Sequence, residues 1–363
     1  MVENEPTQPT HPIIDAHLDL AYNAVVLKRD LSQSVIEIRE QERQHPPADP
    51  EAGICMVSWP DLLKGGIAVV GGSIFVEPAR KSHPRMTSTY HTPDEAREQA
   101  LAQLEYYRRV SDEREDVTLV LTELDLETAL TSWGSDTPST GVFVVLEGAD
   151  PILHTGELGR WVEQGVRGVG LTWSAGTRYA GGNANPGPLT DEGMALLKAM
   201  ADYHLLLDIS HLWEAAVYQV LDRYPGPIVA THANPRAFFD SPRALSDTII
   251  HDLADRGGVV GIIAYNRMLN AAWRPGDPRL PLTRLAEALD HVCQLTGHAS
   301  AVGIGSDLDG GFGLAAAPDS IASVADLHHV GTLLIDRGYA ESDVQDILCN
   351  NWLRVMRQSL EVF

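Results

Sequence analysis

The sequence predicts a (β/α)8 barrel of the TIM type, distorted by inserts, with a binuclear metal site at its C-terminal mouth. Two observations lead there. Eight apolar runs alternate with helical patterns along the chain, and repeated strand-then-helix units imply a parallel sheet that eight such units close into a barrel. Five of the runs stop at residues suited to binding a metal: His17 and Asp19, Glu147, His211, His232 and Asp307.

The first run, Pro12 to Leu18, ends in His17-Leu18-Asp19, and the period of two along a strand turns residues 17 and 19 to the same face. The second is Ile67 to Phe75. The third, Gly141 to Leu146, is β-branched as a strand buried on both faces should be, and an acid at its end, Glu147, is unexpected there. Val166 to Leu171 is the fourth. The fifth and sixth, Leu205 to Ser210 and Ile228 to Thr231, stop at His211 and His232, with Gly258 to Ala264 as the seventh. The eighth, Val302 to Ser306, stops at Asp307. Helical patterns over 192–203, 213–224, 247–256, 284–295, 324–337 and 341–360 fill the gaps, several with Asp, Ser or Thr before them and Gly after. Two long inserts, roughly 28 to 60 and 76 to 140, depart from the minimal repeat; the second carries a helix over 93–110 and a short run, 117–121, that reads as an extra strand.

The chain has 363 residues, 44% of them hydrophobic, and no low-complexity linker divides it. One domain over 12–363 is expected, after a flexible acidic segment over 1–11. A formal charge of −23 argues against nucleic acid, which needs clustered Lys and Arg. The N-terminus shows neither a basic nor an apolar signal region, and nothing approaches the ~20 apolar residues of a membrane span. No membrane partner and a cytoplasmic location follow as expectations. Cys55, Cys293 and Cys349 lie far apart without metal-binding spacing, as expected of reduced, buried thiols.

In such barrels, functional residues from different strands converge on one mouth. Two divalent ions held close together need a bridging anion, because unshielded dications repel. Glu147 is the natural bridge, with His17 and Asp19 on one ion and His211 and His232 on the other. Imidazole and carboxylate without thiolate suits zinc. Water held between two such ions would ionise near neutrality, and Asp307 can accept its proton and pass it to a leaving amine. Other histidines, such as His45, His83, His251, His298, His328 and His329, lie in loops or on helical faces, where a solvated role is expected, and His204 precedes a strand at the opposite end of the barrel. Asp208 and Asp309 are left unassigned between supporting the site and ordinary structural roles.

Taken together, Ile14-Asp15-Ala16-His17-Leu18-Asp19-Leu20, Leu146-Glu147-Gly148, Pro188 to Gly193 leading to Leu207-Asp208-Ile209-Ser210-His211, Ala230-Thr231-His232-Ala233, Ser241-Pro242-Arg243 and Gly303 to Gly310 resemble the membrane (renal) dipeptidase family, peptidase M19. They span nearly the whole chain in the family's order. The resemblance implies hydrolysis of dipeptides at a binuclear zinc centre, with His17, Asp19, Glu147, His211 and His232 as ligands and Asp307 as acid/base. It implies that Arg243 holds the substrate carboxylate, a task suited to a planar, always-charged fork. Tyr265 is expected to line the pocket. A homodimer is the family's expectation.

One position departs. Where the family has a histidine on strand four that binds the substrate carbonyl, this chain reads Leu171-Thr172-Trp173-Ser174. An indole can donate a hydrogen bond but cannot be a cation. Trp173 is therefore a substrate-binding candidate, and two alternatives stay open beside the dipeptidase: an amidohydrolase acting on another bond, such as an N-acyl amino acid or a lactone, and a metal-binding homologue with impaired catalysis.

Overall fold

In a computed structural model, the described residues are 12–47, 52–79 and 89–360. The expected flexible segment 1–11, His83 and the chain beyond Leu360 lie outside them.

Eight parallel strands form the barrel: β1 Ile13–Leu18, β2 Ile67–Phe75, β3 Thr140–Glu147, β4 Val166–Gly170, β5 Leu206–Asp208, β6 Ile228–Val229, β7 Val260–Ile262 and β8 Val302–Ile304. Hydrogen bonding runs in the order β6-β5-β4-β3-β2-β1-β8-β7. A parallel bridge from Ala230 to Val260 joins β6 to β7 and closes the ring. The expected eighth-strand closure is present. The short strand Val117–Leu119 pairs with the start of β3, as the 117–121 run predicted.

The expected and observed lengths differ at the narrow strands. β2 and β3 are buried along their whole length and share seven register pairs, from Val69 opposite Gly141 to Phe75 opposite Glu147. β5, β6, β7 and β8 are only two or three residues long. The apolar runs there continue past the last ladder bond because the chain turns outward while still buried. His211, His232 and Asp307 therefore stand on the turns beyond the strands, whereas Glu147 is the last residue of its strand.

Helices cover the outside. Ser34, Thr190 and Ser246 cap Val35–Gln44, Asp191–Asp202 and Asp247–Asp255 by accepting backbone N–H groups. Two expected helices are not uniform. Residues 324–337 begin as a 3-10 turn, Val324–His328, before the α-helix His329–Asp336. Residues 341–360 are split by a wide π turn, Asp346–Asn350, between Glu341–Gln345 and Asn351–Gln358. No helix among the described residues is long and apolar enough to cross a membrane.

Glycine allows the barrel to close. A Cβ on Gly305 would lie 1.8 Å from the Thr231 carbonyl oxygen, and one on Gly261 2.0 Å from the same atom. Backbones of β6, β7 and β8 meet there with no room for a methyl group. Gly305→Ala is accordingly expected to destabilise the fold by about 1–3 kcal/mol through overpacking, read as a lowered urea midpoint; an unchanged midpoint would show slack in this contact.

Candidate metal centre

At the C-terminal mouth the structure brings His17, Asp19, Glu147, His211, His232 and Asp307 together. Three sets of potential donor atoms, His17/Asp19/Glu147, Glu147/His211/His232 and His17/His232/Asp307, each lie within 4.8 Å of one another. Glu147 belongs to two of them. Its Oε1 is 2.9 Å from His211 Nε2 and 3.3 Å from His232 Nε2, while its Oε2 faces His17 Nε2 at 3.5 Å. Asp19 Oδ1 is 3.7 Å and Asp307 Oδ1 3.9 Å from that same His17 nitrogen.

The outer nitrogens of two imidazoles are already engaged. His211 Nδ1 lies 3.1 Å from the Asn183 Oδ1 acceptor, so that nitrogen carries the proton. Asn183 sits in the turn between the antiparallel strands Ala180–Gly182 and Asn185–Leu189. Thr231 Oγ1 donates to Asp208 Oδ2 at 2.6 Å and can then only accept from His232 Nδ1, 2.9 Å away. Both rings consequently turn an Nε2 lone pair inward. Those lone pairs face each other at 3.0 Å and face the Glu147 oxygen as well. Three electron-rich atoms at such distances repel unless a cation lies among them. His17 Nε2 is buried with no hydrogen-bond partner and lies 3.5–3.9 Å from oxygens of Glu147, Asp19 and Asp307, a spacing that a bound cation would bridge. The residues present fit bound divalent cations.

Burial disfavours charge throughout the site, and neighbours decide the outcome. Burial and the Arg243 guanidinium push His211 down to about 4, and burial with nearby His17 holds His232 well below its ordinary value. His17 behaves oppositely: burial opposes its charge, but Glu147, Asp19 and Asp307 hold it up at about 10. Glu147 stays well below the usual carboxylate range, since His17, His211 and His232 outweigh its burial. Burial and the Glu147 charge raise Asp19 to about 6, and Asp307 is raised well above its usual value by burial, with Asp19 and Glu147 adding to it.

The backbone is bent to present these groups. Gly148, at φ 106°, turns the chain directly after Glu147. Asp307 and Asp309 adopt φ 58° and 66°, a left-handed conformation that Asp tolerates better than most residues. Asp309 is held by the amides of Met56 and Val57 and by Arg29, 3.5 Å away, which anchors the first insert over the mouth. Asp309 thus ties down the loop.

Arg243 is buried, and it pairs with neither Asp240 nor Asp247. Its Nη1 donates to the Ser210 carbonyl at 2.7 Å and its Nη2 to the His232 carbonyl at 2.8 Å, which spans the two turns that carry His211 and His232. With Trp173 and Tyr265 it lines a cavity of roughly 300 Å3 that opens onto Glu147, His211, His232 and Asp307, a size suited to a small molecule. Trp173 thus borders the cavity rather than packing beneath it.

Two supporting acids carry more of the site than their sequence context suggests. Asp208 accepts from the amides and hydroxyls of both Ser210 and Thr231. Asp15, fully buried, accepts from the Ser306 amide at 2.8 Å, the Ser306 hydroxyl and the His17 amide at 3.4 Å. Asp15 went unnoticed in the sequence, although an acid inside an apolar strand run was the available signal. Tyr22, Phe75, Glu77, Met268 and Phe312 also line the cavity; they come from separate helices, strand ends and loops and left no periodic pattern to find.

A closed parallel barrel with histidines and carboxylates converging at its C-terminal mouth places the molecule in the class of metal-dependent barrel hydrolases. The chain belongs to the membrane dipeptidase family, peptidase family M19, whose description it matches over residues 2–362. It is 32% identical over 221 residues to an uncharacterised protein in the pqqA 5′ region of Klebsiella pneumoniae, covering 58% of this chain and 79% of that protein. It is 29% identical over 203 residues to dipeptidase verJ of Clonostachys rogersoniana, covering 54% of this chain and 50% of that one. Among solved structures, a dipeptidase AC of family M19 superposes with a TM-score of 0.79 at 23% identity, over 97% of this chain and all (100%) of that one. A metallopeptidase from Rhodobacter sphaeroides, solved with a phosphinate mimic of the dipeptide L-Ala-D-Ala, also gives 0.79, at 22% identity over 96% and 99% of the two chains.

Thr231→Val keeps the shape of the side chain but removes the hydroxyl between Asp208 and His232. Loss of that buried hydrogen bond is expected to cost about 1–3 kcal/mol, measured by urea unfolding. Equal stability would remove Thr231 from the network.

Proposed function

We propose that this protein is a zinc-dependent hydrolase of dipeptides or similar small amides with a free carboxylate. The observation that carries this reading is the position of Glu147, one oxygen turned to the inward lone pairs of His211 and His232 and the other to His17. His17, Asp19 and Glu147 would hold one divalent ion and Glu147, His211 and His232 a second. When bound, such a pair supplies an activated water and polarises a carbonyl.

The chain's own groups do the rest. Arg243 orients the substrate by its carboxylate, and its hydrogen bonds to the Ser210 and His232 carbonyls fix its guanidinium relative to the donor groups. Asp307 takes up the proton released at attack and returns it to the leaving amine nitrogen. Its side chain is 14% exposed, against 10% for Asp19 and 6% for Glu147, so it is the acid of the three best able to meet both water and substrate. Trp173 and Tyr265, which line the cavity, would border the bound substrate. The cytoplasm suits this reading, since Cys55, Cys293 and Cys349 are all free and buried.

Metal analysis and kinetics test these roles. Two zinc equivalents per chain are expected, with turnover lost on chelation and restored by zinc. Glu147→Ala should lose both equivalents together, and retention of one would refute its bridging role. Asp307→Asn is expected to keep most of the metal while kcat falls by roughly 100-fold or more; a fully active Asn variant would reject the proton transfer. Arg243→Lys should mainly raise KM for carboxylate-bearing substrates, and an unchanged KM would move the carboxylate site elsewhere.

A further inference from the structure

The aromatic rings of the cavity form a connected surface. Tyr22 packs on Phe75 with centroids 5.3 Å apart, Phe75 on Trp173 at 5.1 Å, and Trp173 reaches the His211 ring at 5.8 Å. The three come from different segments: the helix after β1, the end of β2, and the loop after β4. They make one apolar wall that runs to an imidazole facing Glu147. Elsewhere around the cavity, Tyr265 and Phe312 stack at 4.6 Å with planes 15° apart.

The charges that line the cavity are uneven. Among the described lining residues Arg243 is the single cationic side chain, apart from the histidines of the donor cluster, and it spans the turns after β5 and β6. The wall belongs to the arc from β1 to β4, which adjoins at β5 the turns that Arg243 holds. A substrate anchored by its carboxylate at Arg243, with its amide over Glu147, must extend its other end toward this wall. A second carboxylate there would be desolvated against aromatic rings.

We infer that Tyr22, Phe75 and Trp173 form the subsite for the N-terminal residue of the substrate, which selects apolar and aromatic side chains and rejects acidic ones. This rests on the dipeptidase reading above, whose substrate class it narrows. Trp173 is the determining residue because it joins the wall to the donor cluster: its ring is in contact with both Phe75 and His211. The wall acts through burial of apolar surface, so discrimination should grow with side-chain size.

The test is a series of Xaa-Ala dipeptides, Xaa being Ala, Leu, Phe or Asp, assayed as kcat/KM with the zinc-loaded full chain. Phe-Ala and Leu-Ala should exceed Asp-Ala by about tenfold or more. The Phe-to-Asp ratio should collapse by about tenfold in Trp173→Ala and survive in Trp173→Phe, which keeps an apolar ring. A ratio that is flat in the wild type, or equal in Trp173→Ala, overturns the subsite. Should no member of the series be cleaved, the dipeptidase reading is what fails, and calorimetry then decides the subsite on its own. Tighter binding of 3-phenylpropionate than of succinate, by about tenfold and lost in Trp173→Ala, would uphold the wall; equal binding would overturn it.

Discussion

Asp208 accepts four hydrogen bonds from Ser210 and Thr231, and Asp15 does similar work with Ser306 and His17. The arrangement is the same in both places. An acid near the end of one strand grips the residue that directly precedes a site residue on the neighbouring strand: Thr231 before His232, Ser306 before Asp307. Strands β5, β6 and β8 stop after two or three residues, so ladder hydrogen bonds cannot set the geometry of the turns beyond them. Buried carboxylates replace the ladder there, and a carboxylate accepting several backbone and hydroxyl bonds is a stiff fixture.

Everything at the mouth inherits that stiffness. Thr231 is held by Asp208 and in turn fixes the ring of His232; Asn183 does the same for His211 from the hairpin after β4. Arg243 ties the two turns together by their carbonyls. The two inward lone pairs and the Glu147 oxygen are thereby kept in a repulsive arrangement that the protein alone does not relieve. A site of this kind stores its preference for a cation in its supporting bonds.

Much of this was legible in the sequence, for identifiable reasons. β2 and β3 are buried on both faces, so their apolar runs matched the strands closely, and an acid at the end of β3 stood out against them. The later runs overshot because burial outlasts the ladder at β5, β6 and β8, which leaves His211, His232 and Asp307 on turns. The helix expected over 341–360 is present over 341–358 but carries a π turn that no change in periodicity announced. Arg243 was found by its motif, yet its partners are backbone carbonyls, which leave no trace in residue identity. The wall of Tyr22, Phe75 and Trp173 is assembled from three distant segments, and only the fold reveals it.

The barrel is bonded unequally around its circumference, and the inequality has a dynamic consequence. β2 and β3 share seven register pairs, whereas β6 meets β7 through the Ala230–Val260 bridge and a few flanking hydrogen bonds. Local opening requires the least free energy where the fewest backbone bonds must break together. Two places qualify: the β6–β7 seam, beside the turn that carries His232, and the β1–β8 seam, where Asp15 and Ile304 form the one register pair. Glu147, at the end of β3, is thus anchored where β2 and β3 share seven register pairs, while the donors carried by β1, β6 and β8 border a sparsely paired seam. Amide exchange should divide the mouth along those lines, with the turns at the two sparse seams breathing before the end of β3.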